Sequence, residues 1–167
     1  MKTHAVVVGV TIASALVFVG ACGETEDQQA APPTSAHAAS SRYATVVESA
    51  YVRAQKAFGE TVDPCLARRY TLCDRHGRRA RAAAQALLDG LARTEPPVRA
   101  RSADRHLRAA FAALVAAQEL QRRAIEAGDD AAFSRSISDI SVAIGEIEAA
   151  RVELIDALPA VDLPAMH

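Results

Sequence analysis

The most reactive side chains in this sequence are Cys65, Cys73 and His76, which follow the pattern Cys-x7-Cys-x2-His. Two thiolates and one imidazole supply three of the four ligands of a structural zinc site, but no fourth ligand lies nearby in the sequence. The same two cysteines can instead form a disulfide. Which of the two forms depends on the redox compartment in which the protein works.

Motifs typical of helical metalloproteins and hydrolases are absent from the sequence. It has no Glu-x-x-His pair for a di-iron site, no Cys-x-x-Cys-His motif for covalent haem and no Gly-x-Ser-x-Gly elbow. His76 and His106 fall about 13 Å apart along the axis of the predicted helical hairpin, so they cannot share one iron. We therefore expect no catalytic residues, no cofactor and no metal site.

The first residues of the sequence carry the pattern of an export signal. Lys2 precedes an apolar run that ends in small residues, and this run is too short to span a bilayer comfortably. Val19-Gly20-Ala21-Cys22 resembles the lipobox of bacterial lipoproteins, and the Ala- and Arg-rich composition is similar to that of small actinobacterial lipoproteins. The resemblance implies that residues 1–21 are cleaved and that Cys22 is lipidated. It also implies a membrane anchor on the extracytoplasmic face.

The lipoprotein resemblance also bears on the other two cysteines. With Cys22 lipidated, Cys65 and Cys73 remain as an even pair in an oxidising compartment. We therefore expect a Cys65–Cys73 disulfide, which would stabilise the fold by roughly 2.5 kcal/mol in the chain-entropy model. The zinc site that includes His76 is the alternative.

Composition divides the remainder of the chain into three parts. Residues 22–41 hold the lipidated cysteine and a spacer rich in Ala, Ser, Pro and acidic residues, which we expect to be disordered. Residues 42–159 carry apolar side chains at helical spacing and form the predicted domain. Residues 160–167 are predicted to be a flexible tail.

Short turns separate the amphipathic segments of the domain, so neighbouring helices must run antiparallel. The sequence therefore predicts an all-α, up-down antiparallel helical bundle of four helices, with the disulfide near the start of helix 2. Asp63-Pro64 is expected to restart the chain after the first helix, because proline is favoured at the first helical position. The predicted spans are 43–59, 74–93 and 97–128, followed by a fourth helix capped by Asp129 or Asp130.

The fourth helix has the clearest periodicity in the chain. Large apolar residues recur at spacings of four and three and are interrupted once, by Arg151; the series is Phe133, Ile137, Ile140, Ile144, Ile147, Arg151, Leu154 and Leu158. A stripe of small residues lies beside it: Ser134, Ser138, Ser141 and Gly145. We expect this stripe to receive another helix at close approach. The alternative is a groove for a ligand, for which Gln118 and Gln121 of helix 3 are the only other hints.

Arg151 raises the question of a partner. Counting back across the turn near Gly128 places it close to the level of Asp104, which continues the apolar stripe of helix 3. We expect an Asp104–Arg151 ion pair that fixes the register of the two helices. The alternative is that Arg151 extends to solvent at the end of the bundle.

Charge is segregated along the chain, although the total is nearly balanced and gives no general attraction to nucleic acid. Residues 65–108 hold eleven arginines and four acidic residues, whereas residues 109–167 hold four arginines and ten acidic residues. One interpretation is an arginine face that binds anionic lipid or wall polymer. The other is that this face pairs with Glu146, Glu148, Glu153 and Asp156 of helix 4. The arginine face comprises Arg68, Arg69, Arg75, Arg78, Arg79 and Arg81.

The sequence thus favours a lipid-anchored module of the cell envelope that is not an enzyme and that acts as a binding or structural module for an envelope partner. Its expected contacts are the membrane, through the anchor, and an envelope protein or anionic polymer. A carrier of a small ligand or metal in the bundle core is the alternative, and a peripheral binder of anionic lipid through the arginine face is the second alternative.

Overall fold

A computed structural model describes residues 35–166, with side chains from residue 38 onward. Four helices account for most of this part: α1 (Ser35–Leu66), α2 (Tyr70–Ala92), α3 (Arg101–Ala127) and α4 (Asp130–Ala157), with a single 3-10 turn at Val98–Ala100. These residues contain no β-strand. The predicted all-α antiparallel bundle is confirmed, as is the Cys65–Cys73 disulfide near the start of helix 2. Within the described residues, no helix is both long enough and apolar enough to cross a membrane.

Helix α1 is longer than predicted at both ends. It begins at Ser35, inside the expected spacer, and it continues through Pro64 to Leu66. Proline removes one backbone donor from a helix, but only three residues of α1 remain from Pro64 onward, so little of the hydrogen-bond ladder is lost. The apolar face also continues across this point, because Phe58 and Cys65 are both buried. The predicted break at Asp63-Pro64 is therefore wrong.

The turn between α1 and α2 is tight and is closed by backbone hydrogen bonds. Arg69 N–H donates to Pro64 C=O at 2.8 Å and Arg68 N–H donates to Cys65 C=O at 3.1 Å. This is the hydrogen-bond pattern of a Schellman motif, whose central residue adopts the left-handed conformation. Arg68 occupies that position with φ of 52°. The disulfide then joins the last turn of α1 to the first turn of α2.

The other two turns follow the signals in the sequence. Pro96 and Pro97 separate α2 from α3, since the residue before a proline is disfavoured in a helix. Gly128, with φ of 65°, ends α3 in the left-handed conformation. The carboxylate of Asp129 then accepts a hydrogen bond from Ala132 N–H at 2.8 Å, which caps α4 as predicted.

The helices pack in chain order, α1 on α2, α2 on α3 and α3 on α4. The core is built from large apolar side chains at helical spacing, including Tyr51, Leu87, Phe111 and Leu154, which are all fully buried. Tyr51 and Phe111 meet edge to face, with ring centroids 5.8 Å apart, so α1 also contacts α3 across the bundle.

The bundle is open on its fourth side. No Cα atom of α1 comes within 8 Å of a Cα atom of α4, so a cleft runs between these two helices. Residues 159–166, which we call the tail, leave α4 and lie in one half of this cleft. Val161, Leu163 and Met166 are buried there against the main core. The prediction of a flexible tail is therefore corrected over residues 160–166: alternate apolar side chains give this segment a face that packs.

Candidate functional site

The tail shows what the α1–α4 cleft can hold. Its side chains point alternately into and out of the cleft, since Val161 and Leu163 are buried whereas Asp162 and Pro164 are exposed. Its backbone is bound by polar side chains of both flanking helices. The hydrogen bonds are Asp162 N–H to Glu48 Oε1 at 2.9 Å, Arg151 Nη1 to Leu163 C=O at 3.0 Å, Gln55 Nε2 to Ala165 C=O at 2.6 Å, and Met166 N–H to Glu148 Oε1.

The other half of the cleft is an open and mostly apolar groove of about 250 Å³. It continues the path of the tail, because Phe58 and Ile144, its first wall residues, lie within about one helical turn of the residues that bind Ala165 and Met166. Its floor is formed by Gln121 of α3. Its walls are Phe58, Thr61, Val62, Cys65 and Leu66 from α1 and Ile137, Ile140, Ser141 and Ile144 from α4.

A second cavity of about 220 Å³ adjoins the groove, shares three of its wall residues and leads to the outside at Arg68. We call it the mouth. The Arg68 guanidinium, whose side chain is 56% exposed, lies 3.4 Å from the Asp130 carboxylate. That carboxylate also accepts a hydrogen bond from the Tyr70 hydroxyl, which raises the pKa of Tyr70. A cation therefore stands at the entrance, with one carboxylate beside it.

Gln121 is the unusual residue of the groove. It is only 4% exposed, and its Nε2 has no hydrogen-bond partner among the described residues. Its Oε1 lies 4.0 Å from Cys65 Sγ, but a disulfide sulfur carries no proton to donate. A buried polar group without a partner costs about 1–3 kcal/mol of stability. The groove thus combines apolar walls with one amide whose hydrogen-bonding capacity is unused.

Polar residues of α3 reach the core because they occupy the buried stripe of that helix, between Leu114 and Ala124. Gln118, one turn before Gln121, is 5% exposed, and its Oε1 also lacks a partner within the described residues. Gly77 of α2 faces the Gln121 amide, and a Cβ at that position would lie 3.9 Å from Oε1. A methyl group at position 77 would thus be in ordinary van der Waals contact with the amide.

The predicted Asp104–Arg151 ion pair is not formed. Asp104 is buried, and its Oδ2 accepts a hydrogen bond from Arg108 Nε at 2.7 Å, one turn along the same helix. Its Oδ1 accepts from the Tyr43 hydroxyl at 2.9 Å. Burial, and then the Asp104 charge, raise the pKa of Tyr43 well above its ordinary value. Sequence counting missed Tyr43 because α1 and α3 lie diagonally across the bundle, whereas Arg108 is a local i,i+4 partner within α3.

Arg151 binds the tail rather than α3. Its Nε donates to Glu148 Oε2 at 2.8 Å, and its Nη1 donates to the Leu163 carbonyl at 3.0 Å. Glu148 also meets the Tyr51 hydroxyl, 3.4 Å away, whose pKa is raised mainly by burial. Arg151, the one polar interruption of the α4 stripe, therefore binds the tail in the cleft.

Arg68 binds Asp130 at the start of α4, but no member of the arginine face binds Glu146, Glu148, Glu153 or Asp156 among the described residues, so the pairing predicted with these four residues is wrong. Glu146 and Glu153 both bind the ring of His106, at 3.0 Å each, and these hydrogen bonds raise the pKa of His106. Glu148 binds Arg151. These three glutamates thus bind α3, α4 itself, Tyr51 of α1 and the tail.

Three members of the arginine face have other carboxylate partners: Arg68 binds Asp130, Arg78 binds Asp74 at 2.9 Å, and Arg81 binds Glu119. Glu119 also receives hydrogen bonds from Arg122 and Arg123, and these, led by Arg122, lower the pKa of Glu119 to about 2.

The other three members, Arg69, Arg75 and Arg79, are exposed and have no carboxylate within 4.0 Å in the part of the chain that the structure describes. Their charge is available to an anionic partner.

The small-residue stripe of α4 does not receive another helix. Ser134, Ser138, Ser141 and Gly145 are all exposed, and a Cβ at Gly145 would meet nothing within 4 Å. Two of these residues border the site instead, Ser141 in the groove and Ser134 in the mouth. The expectation of close helix packing is therefore wrong, and the stripe faces space beside the cleft.

Metal binding has no support from the geometry of residues 35–166. The disulfide leaves neither Cys65 nor Cys73 as a thiolate, and His76 Nδ1 lies 3.4 Å from Glu60 Oε2. No group of three or more potential ligands lies close together in this part of the chain. The lipobox and Cys22 lie outside the described residues.

Fold and site together define a helical bundle with one lateral cleft, half filled by its own tail and half open. The chain matches no protein-family model, no curated protein and no solved structure. Function is therefore inferred from the residues of the site and from the N-terminal sequence pattern.

Proposed function

We propose that the protein is a lipid-anchored, extracytoplasmic binding module without catalytic activity, and that the groove is its binding site. The observation that supports the site is the combination of open apolar walls with the unpartnered amide of Gln121 at the floor. Ligand sites are typically concave and apolar, with a few polar groups that orient the ligand. The groove fits this description.

The binding test uses two exposed serines of the helices that flank the cleft. Ser141 of α4 lines the groove, whereas Ser49 of α1 lies outside both the groove and the mouth. Anilinonaphthalene sulfonate, a dye that fluoresces on apolar surfaces, is the probe. We expect Ser141→Phe, which fills the groove, to reduce dye binding, and Ser49→Phe to leave it unchanged. Equal dye binding by both variants would show that the groove is not the site.

The anchor is proposed from the resemblance of Val19-Gly20-Ala21-Cys22 to a lipobox. Its test is the intact mass of the protein from its native membrane fraction, before and after reduction. We expect a diacylglyceryl adduct on a chain that begins at Cys22, and a gain of about two protons on reduction of the disulfide. A chain without lipid would contradict the anchor and leave the groove proposal standing.

A second candidate function is supported by the arginine face. Arg69, Arg75 and Arg79 lack carboxylate partners among the described residues, and anionic membrane surfaces attract such clusters. We expect vesicles that contain phosphatidylglycerol to bind the protein at low salt, and the Arg75→Glu/Arg79→Glu variant to bind them less. The matched control is Arg99→Glu/Arg105→Glu, which reverses the same number of charges at two exposed arginines outside this face. Vesicle binding that is equal in both variants would contradict this function.

A further inference from the structure

We infer that the groove binds a single-chain anionic amphiphile, with the hydrocarbon chain in the groove and the head group at the mouth. This inference rests on the proposed function, because it takes the groove to be a binding site and names its ligand. It is carried by three features of the cleft: the polarity of its two halves, the residues that close its inner end, and the residues that line its outer end.

The two halves of the cleft differ in what they offer a ligand. In the half that holds the tail, four side chains of α1 and α4 bind backbone groups of an extended peptide. In the open half, the hydroxyls of Thr61 and Ser141 donate to carbonyls of their own helices, at 2.7 and 3.0 Å. Only the Gln121 amide is left. A peptide needs a partner for every buried backbone group, whereas a hydrocarbon chain needs none, so the open half fits a hydrocarbon chain.

The inner end of the groove excludes a negatively charged head group. The tail ends there, with Met166 buried and the Glu148 carboxylate held by the backbone of Met166 and by Arg151. A second anion at this end would meet an apolar side chain and a like charge. The methyl end of the ligand therefore points inward.

The outer end of the groove has a hydrogen-bond donor and a positive charge, which favour an anionic head group. Gln121 lies at the level of Cys65, in the last turn of α1, and the Arg68 guanidinium stands beyond it at the mouth. The terminal torsion of a glutamine side chain is soft, so Nε2 can turn to donate to a ligand oxygen. Arg68 is mostly exposed and shares Asp130 with the Tyr70 hydroxyl, so it can attract a second anion. The head group is thus an oxygen anion such as a carboxylate or a phosphate.

Decanoate and decanol test the inference, because both have ten carbons in one chain and they differ in the head group, an anionic carboxylate in the first and a neutral hydroxyl in the second. Both are titrated calorimetrically below their aggregation limits into the folded, disulfide-bonded protein. We expect both to bind and decanoate to bind more tightly. Gln121→Leu is expected to lower the affinity for decanoate by roughly tenfold. Gln118→Leu, a matched change outside the groove, is expected to leave the affinity for decanoate unchanged.

Arg68 is tested with Arg68→Gly, which keeps the left-handed backbone conformation of the turn. An exposed ion pair is weak, so we expect decanoate to bind about two- to fivefold more weakly and to lose its salt dependence. Arg93→Gly, which removes an exposed arginine at the opposite end of α2, is the control. A parallel titration with a single-chain lysophosphatidylglycerol identifies the source of the ligand. Tighter binding of decanoate would indicate a free fatty acid, and tighter binding of the lysophosphatidylglycerol would indicate a lipid with a phosphate head group.

Failure of the inference and failure of the proposed function give different results. Equal affinity for decanoate and decanol, unchanged by Gln121→Leu, would overturn the anionic head group while the groove remained a binding site. Binding of neither ligand, together with dye fluorescence that Ser141→Phe does not reduce, would overturn the proposed function itself.

Discussion

Replacing Gln121 with leucine should make the unliganded protein more stable. The amide is 4% exposed, its Nε2 has no partner in the described structure, and its Oε1 meets only a disulfide sulfur. Leucine has a similar volume and leaves no polar atom to desolvate. Removing an unpaired buried polar group recovers its desolvation penalty, so the free energy of unfolding should rise by about 1–3 kcal/mol.

The assay is urea unfolding followed by circular dichroism, with the disulfide intact, supported by thermal unfolding. For a domain of this size, each kcal/mol corresponds to a shift in Tm of about 3–6 °C. The control is Gln85→Leu, because Gln85 is exposed and its amide already binds Asp89 at 3.0 Å. We expect that control to change stability by less than about 0.5 kcal/mol.

A result with unchanged or reduced stability in Gln121→Leu would refute the reasoning. It would mean that the amide is fully hydrogen-bonded in solution. Gln121 would then have no free donor for a ligand. A stabilised variant that also loses decanoate binding would show that the protein gives up stability to keep a donor in the groove.

Three further predictions concern the parts that surround the site. Leu163→Ala should lower the free energy of unfolding by about 2–5 kcal/mol, because Leu163 is 2% exposed; unchanged urea unfolding would show that the tail is not docked. Asp104→Asn should cost roughly 1.5–3 kcal/mol, because it weakens charged hydrogen bonds to buried partners, and an unaltered melting curve would contradict this. The raised pKa of His106 means that its contribution is complete below pH 6.5 and is lost as pH rises through the folded-state pKa. The stability difference between wild type and His106→Gln should therefore shrink from pH 6 to about pH 9; a difference that is constant with pH would exclude this link between α3 and α4.

Local signals in the sequence were sufficient to predict the helices and two of their ends. The spacing of apolar residues gave the helical faces, and Gly128 followed by Asp129 marked the α3–α4 turn, because a left-handed cap and an N-cap each demand particular residue types. The helix ends depend on neighbours in the chain. The Cys65–Cys73 disulfide was instead predicted because the lipobox resemblance left these two cysteines as an even pair in an oxidising compartment.

Features that depend on distant residues were not predictable in the same way. Pro64 lies within α1 because the core beside it continues the helix, which no local rule indicates. Residues 160–167 were predicted to be flexible, yet the alternating apolar residues of the tail fit a cleft between α4 and α1, and α1 lies far away in the sequence. The pairing of Asp104 with Tyr43 likewise spans the bundle.

Only some residues of the groove could be predicted from the sequence. Gln118, Gln121 and the serines of α4 stood out as polar or small residues, but the sequence favoured close packing of another helix there, and a ligand groove was only the alternative. That α1 and α4 stand apart could not be read from any single helix, since the separation is set by how all four helices pack. Ser141 and Gln121 became neighbours only through that arrangement.

The docked tail also has a consequence for how the chain folds. Its two hydrogen bonds to α1 join residues 110 and 114 positions apart, whereas its two to α4 span 12 and 18 positions and the main helix contacts join consecutive helices. Closing such long loops is slow relative to forming helical hairpins. The α1–α2 and α3–α4 hairpins can therefore assemble early, while the cleft side of α1 stays uncovered until residues 161–166 arrive. Docking of the tail is expected as the last folding step, and its loss as the first step of unfolding.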